Sequence, residues 1–154
     1  MLEPLKQWYC DTCGGIIKSP QDGLVEWLEE GFHDEPYSSY GFKIIHAKMN
    51  CFFYPQDDDR LRDMNLENFL GDEGYIYLLS FLDLGPEIPI EYKGPRVRDI
   101  REFVIFMKRL TVPYFEEARK YISRAIQEEN LDPSQIIGIF NPKELKRLIK
   151  IYGS

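Results

Sequence analysis

Hydrophobic and polar positions along the chain follow two different periods. In the first 56 residues, short runs such as "GLVEWLEE" (23–30) and "GFKIIHAK" (41–48) lie between Gly, Pro, Asp and Ser turns. That pattern predicts strands or strand-like pieces. In the second run Phe42, Ile44 and His46 share one face if the segment is extended. "PQDDDRLRD" (55–63) interrupts the pattern with charge and predicts a solvated connector. Beyond it the period lengthens. "LENFL" and "YIYLLSFLDL" predict a short and a longer helical piece, broken by "GDEG" and stopped by Gly85 and Pro86. The proline-rich "GPEIPIEYKGP" (85–95) predicts an extended loop.

Ile100, Phe103, Val104, Met107 and Leu110 then fall at helical spacing, with Asp99 and Glu102 placed as a capping pair. After Pro113, Phe115, Ala118, Ile122, Ala125 and Ile126 make a second stripe, with Glu116 and Lys120 spaced for an exposed ion pair. "NPKELKRLIKIYG" (141–153) carries the most complete helix signals: Asn141 as N-cap, Pro142 at the first position, Glu144 at the third and Gly153 at the stop. The expected fold is α+β. A small β-rich part (1–56) leads through an acidic connector (57–64) to a mostly helical part (65–154) packed on it.

Composition narrows the class. The 154 residues are 44% hydrophobic and 29% charged, the balance of a soluble globular chain. The longest apolar run, "YIYLLSFL", falls far short of the roughly 20 residues that span a bilayer. "MLEPLKQWY" lacks the basic and apolar regions of a secretory signal, and three cysteines are an odd number for a disulfide framework. The expected location is the cytoplasm. A net charge of -7 argues against blanket attraction to nucleic acid or anionic lipid. The charge is uneven, however. The last helix carries Lys143, Lys146, Arg147 and Lys150 against Glu144 alone, either a solvated face or a contact for phosphate or an acidic protein.

The cysteines supply the candidate chemistry. In "WYCDTCGGIIKSP" (8–20), Cys10 and Cys13 are spaced C-x2-C and two glycines follow. Such a turn points two thiolates at one ion, and glycine after it lets the chain pass through positive φ. A second pair completes a site: His46 and Cys51, separated by "AKMN", give a Cys3His set with structural Zn2+ as the expected cofactor. His33, in "GFHDE", is the alternative fourth ligand. Four protein ligands close the shell, which marks a structural zinc and leaves no catalytic position. A redox C-x-x-C wants a helix after its first cysteine, and Gly14-Gly15 oppose one.

"YCDTCGGII" resembles the strand, C-x2-C-G turn and strand of a zinc ribbon or zinc knuckle, over residues 8–54. The second half departs from that pattern, with H-x4-C where a ribbon repeats C-x2-C. The resemblance implies a module and no particular activity.

Other constellations are weaker. "HDE" (33–35) and "DDD" (57–59) would make an oxygen-ligand hydrolase site only if they converged in a pocket. The chain has no phosphate-binding glycine loop, no G-x-S-x-G and two histidines in all. Tyr37, Tyr40, Tyr54, Tyr75 and Tyr77 escape the helical stripes and suit a surface for a protein partner. The expected function is a non-enzymatic zinc-binding protein that acts as a protein-protein interaction or regulatory module. The alternatives are a nucleic-acid-associated protein, using the zinc module and the basic helix, and a divalent-metal hydrolase. No membrane is expected, and the sequence identifies no small-molecule substrate.

Overall fold

A computed structural model describes residues 1–31, 38–88 and 96–153, and its architecture is α+β. Two-residue arms β1 (Trp8–Tyr9) and β2 (Ile16–Ile17) pair antiparallel, Trp8 opposite Ile17. β3 (Gly23–Glu30), β4 (Ser38–His46) and β5 (Leu61–Asn65) form an antiparallel sheet in the order β4-β3-β5. The charged connector therefore contributes a strand. Its charges suit an edge position, where Arg62 and Asp63 stay exposed and Leu61 and Met64 are partly covered.

Central β3 buries Val25, Glu26, Trp27 and Leu28 in succession, because both faces of the sheet are covered. On one face Trp27 and Phe42 stack, Phe69 and Phe81 meet Trp27 edge-on, and Phe106 stacks on Phe42 at 4.7 Å. Toward the other face, Glu26 is fully buried yet satisfied. Its carboxylate accepts hydrogen bonds from the Phe53 and Tyr54 amides (2.9 and 3.1 Å) and from the Gln56 side chain (3.0 Å). A buried carboxylate with three donors holds the chain just beyond Cys51 against the sheet.

After a 3-10 turn at Leu66–Phe69, helix α1 spans Gly71–Ser80. "GDEG" opens this helix instead of breaking it, since Asp72 and Glu73 in the first turn complement the helix dipole. Helix α2 (Ile100–Thr111) is capped by Asp99, whose side chain accepts from the Arg101 and Glu102 amides. Its inward face is rotated from the expected stripe: Phe103, Phe106, Arg109 and Leu110 are buried, whereas Ile100 and Val104 are exposed. The large rings of Phe103 and Phe106 pack on Phe42, and Arg109 is drawn inward by carboxylates, so the charged residue masks the true face in the sequence.

The expected second stripe is divided between α3 (Phe115–Ala118) and α4 (Ile122–Gln127). Glu116 and Lys120 do not form an exposed pair. Glu116 is buried against Arg109 and Arg119, and the Lys120 ammonium lies 3.0 Å from the centre of the Tyr9 ring. Short α5 (Ile136–Ile139) precedes α6 (Pro142–Tyr152), which begins and ends as its signals predict. The Asn141 side chain accepts from the Lys143 amide at 2.9 Å. Asn141→Ala removes this cap and is expected to lower stability by about 1 kcal/mol, measured by urea unfolding. The loop at 85–95 lies mostly outside the described residues.

One hydrophobic cluster runs from Trp8, Cys10, Ile17 and Cys51 to Leu78, Phe103 and Leu110. The β-rich region and helices α1 and α2 thus share a core. Smaller clusters join α3 to α6 and α4 to α6.

Candidate metal centre

The knuckle is closed by local hydrogen bonds. The Cys10 amide donates to the Gly15 carbonyl at 2.8 Å and the Gly14 amide to the Cys10 carbonyl at 2.9 Å. This closure takes Gly14 through φ +72°, a conformation that a side chain disfavours. Asp11 then docks the turn on β4, its amide donating to the Ile44 carbonyl and its carboxylate accepting from the Ile44 amide, at 2.8 and 2.7 Å. From the other side, β4 delivers His46 at its last residue, and a 3-10 turn at Met49–Cys51 returns Cys51. The Thr12 hydroxyl donates to the Cys51 carbonyl at 2.7 Å and ties the two halves together.

The ligand-type atoms of Cys10, Cys13, His46 and Cys51 lie within 4.8 Å of one another, the only such cluster among the described residues. His46 Nδ1 stands 3.5 Å from Cys13 Sγ and 3.7 Å from Cys51 Sγ. Its other ring nitrogen, Nε2, lies 3.2 Å from the Ile16 carbonyl. A proton on Nε2 satisfies that carbonyl and leaves the Nδ1 lone pair aimed into the cluster, the usual second contact of a ligating imidazole.

The electrostatics ask for a cation. Cys10 and Cys51 are buried and Cys13 is exposed. Burial works against ionising Cys10, but backbone amides of Cys13, His46 and Thr12 and the His46 ring favour its thiolate and bring it down to about 6. Burial pushes the Cys51 thiol up to about 11, and Cys13 and Cys10 beside it push the same way. Three sulfurs this close cannot all ionise in an apolar wall by themselves, and a divalent ion removes that conflict. The donor set fits a metal ion, and these four side chains can hold one.

No protein-family model, curated protein or solved structure matches this chain.

The remaining candidates fare differently. His33 and Tyr37 lie outside the described residues, as does the whole of "HDE". In the acidic loop, Asp58 is paired with Arg60 at 2.8 Å. On α6, Lys143, Lys146 and Lys150 are exposed, but Arg147 is committed to Glu144 at 2.9 Å and to the Asn130 carbonyl at 2.7 Å. The tyrosines are less free than their spacing suggests. Tyr40 donates to Glu30, Tyr54 donates to the Gly41 carbonyl, and Tyr77 joins the aromatic core. Tyr75 remains open to solvent.

Sequence reading misses Asp11 and Arg109. Asp11 also accepts from Arg109 at 2.7 Å, and Arg109 makes a bidentate pair with Glu116 at 2.7 and 2.9 Å. Burial opposes the charge on Arg109, but Glu116 and Asp11 hold it above its ordinary value. One of the two residues between the knuckle cysteines is thus bonded to the end of α2. No spacing in the sequence signals a pair so distant along the chain.

Proposed function

We propose that Cys10, Cys13, His46 and Cys51 hold a structural Zn2+, and that the chain is a non-enzymatic binding or regulatory protein that acts on another protein. The observation that carries the zinc assignment is the spacing of the donors. Tetrahedral bonds of about 2.3 Å to sulfur and 2.0–2.1 Å to nitrogen set the two atoms roughly 3.5 Å apart. The observed separations from His46 Nδ1 to Cys13 and Cys51 are 3.5 and 3.7 Å. All four positions are filled by protein, which favours a structural role over a catalytic one. The ion would link a turn near residue 10 to the end of β4, about 35 residues on, and so reinforce the Asp11–Ile44 and Thr12–Cys51 hydrogen bonds that already join the two segments.

Metal analysis of the full chain, purified under reducing conditions, should give about one zinc ion per chain. Replacement by Co2+ should produce the visible absorption of a tetrahedral thiolate site, and His46→Ala should change that spectrum. A chain that carries no metal and leaves Co2+ spectroscopically unaltered would refute the assignment. Retention on DNA or RNA at about 50 mM salt would overturn the protein-partner reading in favour of nucleic acid.

A further inference from the structure

Helix α1 carries apolar residues on its outward as well as its inward side. Its inward face buries Gly74 and Leu78, with Tyr77 and the following Phe81 in the aromatic core. Its outward face presents Tyr75, Ile76 and Leu79, and Ile76 is 67% exposed. A helix of this kind is ordinarily enclosed by its own protein. Here the outer side faces solvent, and Leu84 and Ile88, farther along the chain, are exposed as well.

Along the chain the charges flanking this face are acidic, and the cation placed beside α1, Arg96, sits on its Tyr77 side, its amide donating to the Phe81 carbonyl at 2.8 Å. Between Arg62 and Lys93 the chain contains no lysine, arginine or histidine. On the helical wheel, Asp72 and Glu73 share the outer side of α1 with Ile76 and Leu79, and Glu87 lies beside Ile88. No ion pair among the described residues uses Asp72, Glu73 or Glu87. An apolar strip with unneutralised carboxylates is complementary to a segment carrying the opposite pattern.

We propose that the outer face of α1 docks a basic amphipathic helix of another protein, laying its apolar stripe on Tyr75, Ile76 and Leu79 and its cations on Asp72 and Glu73. A second copy of this chain is a poor occupant. Its basic amphipathic helix, α6, has its apolar side, Leu145, Leu148 and Ile149, already buried, and two α1 faces would oppose like charges. An anionic membrane is disfavoured for the same reason of charge. The inference rests on the reading of the chain as a binding protein and does not depend on the metal.

The test uses the full chain as purified and a fluorescein-labelled helical peptide of about four turns, built from leucine and lysine with one leucine stripe. Fluorescence anisotropy at about 150 mM salt should show saturable binding that weakens as salt rises. Ile76→Ser/Leu79→Ser and Asp72→Asn/Glu73→Gln should each weaken it by about tenfold or more, whereas Asp57→Asn/Asp59→Asn in the other acidic loop should not. A control peptide with serine for leucine should fail to bind. The proposal is overturned by absent binding, by equal binding to the Ile76/Leu79 variant, or by equal binding of the control peptide. It is equally overturned if sedimentation shows a dimer that Ile76→Ser/Leu79→Ser dissociates. Zinc content is measured in each sample. Lost peptide binding with zinc retained refutes this inference alone, while absent zinc refutes the metal assignment.

Discussion

Cys13→Ser should release the metal and melt the knuckle, with a loss of stability far larger than its position suggests. Cys13 is exposed, and a surface substitution without a special role changes stability by about 0.5 kcal/mol or less. A structural zinc site, in contrast, can contribute on the order of 10 kcal/mol in small domains. The shared core, from Trp8 to Leu110, keeps part of the fold together and places the expected loss below that ceiling. The release is local at first. The β1-β2 turn, the Thr12–Cys51 link and the return at Met49–Cys51 all adjoin the proposed ion and are expected to loosen with it. Thermal unfolding followed by circular dichroism should show a large drop in midpoint for Cys13→Ser, and chelation of the wild-type chain should reproduce it. A variant with unchanged metal content and an unchanged midpoint would exclude the centre as a structural element.

The parts of this arrangement that were legible in the sequence are those that local chemistry dictates. C-x2-C followed by glycines implies a turn, and His46 five residues before Cys51 implies a return, so the Cys3His cluster could be anticipated without a fold, with His33 as the alternative to His46. α6 was legible because Asn141, Pro142 and Gly153 each act within their own turn. What escaped was decided across long distances. The inward face of α2 depends on where Phe42 sits, and Arg109 reads as surface until Asp11 and Glu116 are placed beside it. The strand at Leu61–Asn65 forms because β3 offers it an edge. Its composition, taken alone, describes a connector equally well.

Arg109→Met should be the most damaging single change away from the metal. The methionine fills much of the same volume but leaves Glu116 and Asp11 facing one another with their main cation gone. Breaking one side of a buried ion pair costs about 3–5 kcal/mol, because the remaining charge stays desolvated. Arg119 softens this, since it also reaches Glu116 at 3.2 Å. Lysine is no substitute, because one ammonium cannot serve both Glu116 oxygens and Asp11 together. The partners determine how the result is read. In Arg109→Met/Glu116→Leu the principal orphaned carboxylate is removed, so urea unfolding should recover much of the lost stability. Asp11 lies between Cys10 and Thr12, so the same variant should also weaken metal affinity by about tenfold, as outer-sphere changes do. Chelator competition measures that term separately from unfolding. If Arg109→Met lowers stability but leaves metal affinity intact, the Asp11–Ile44 and Thr12–Cys51 contacts suffice to hold the knuckle and the pair serves only the core. If both fall together, the contact between Asp11 and Arg109 carries the coupling between the metal centre and the helices.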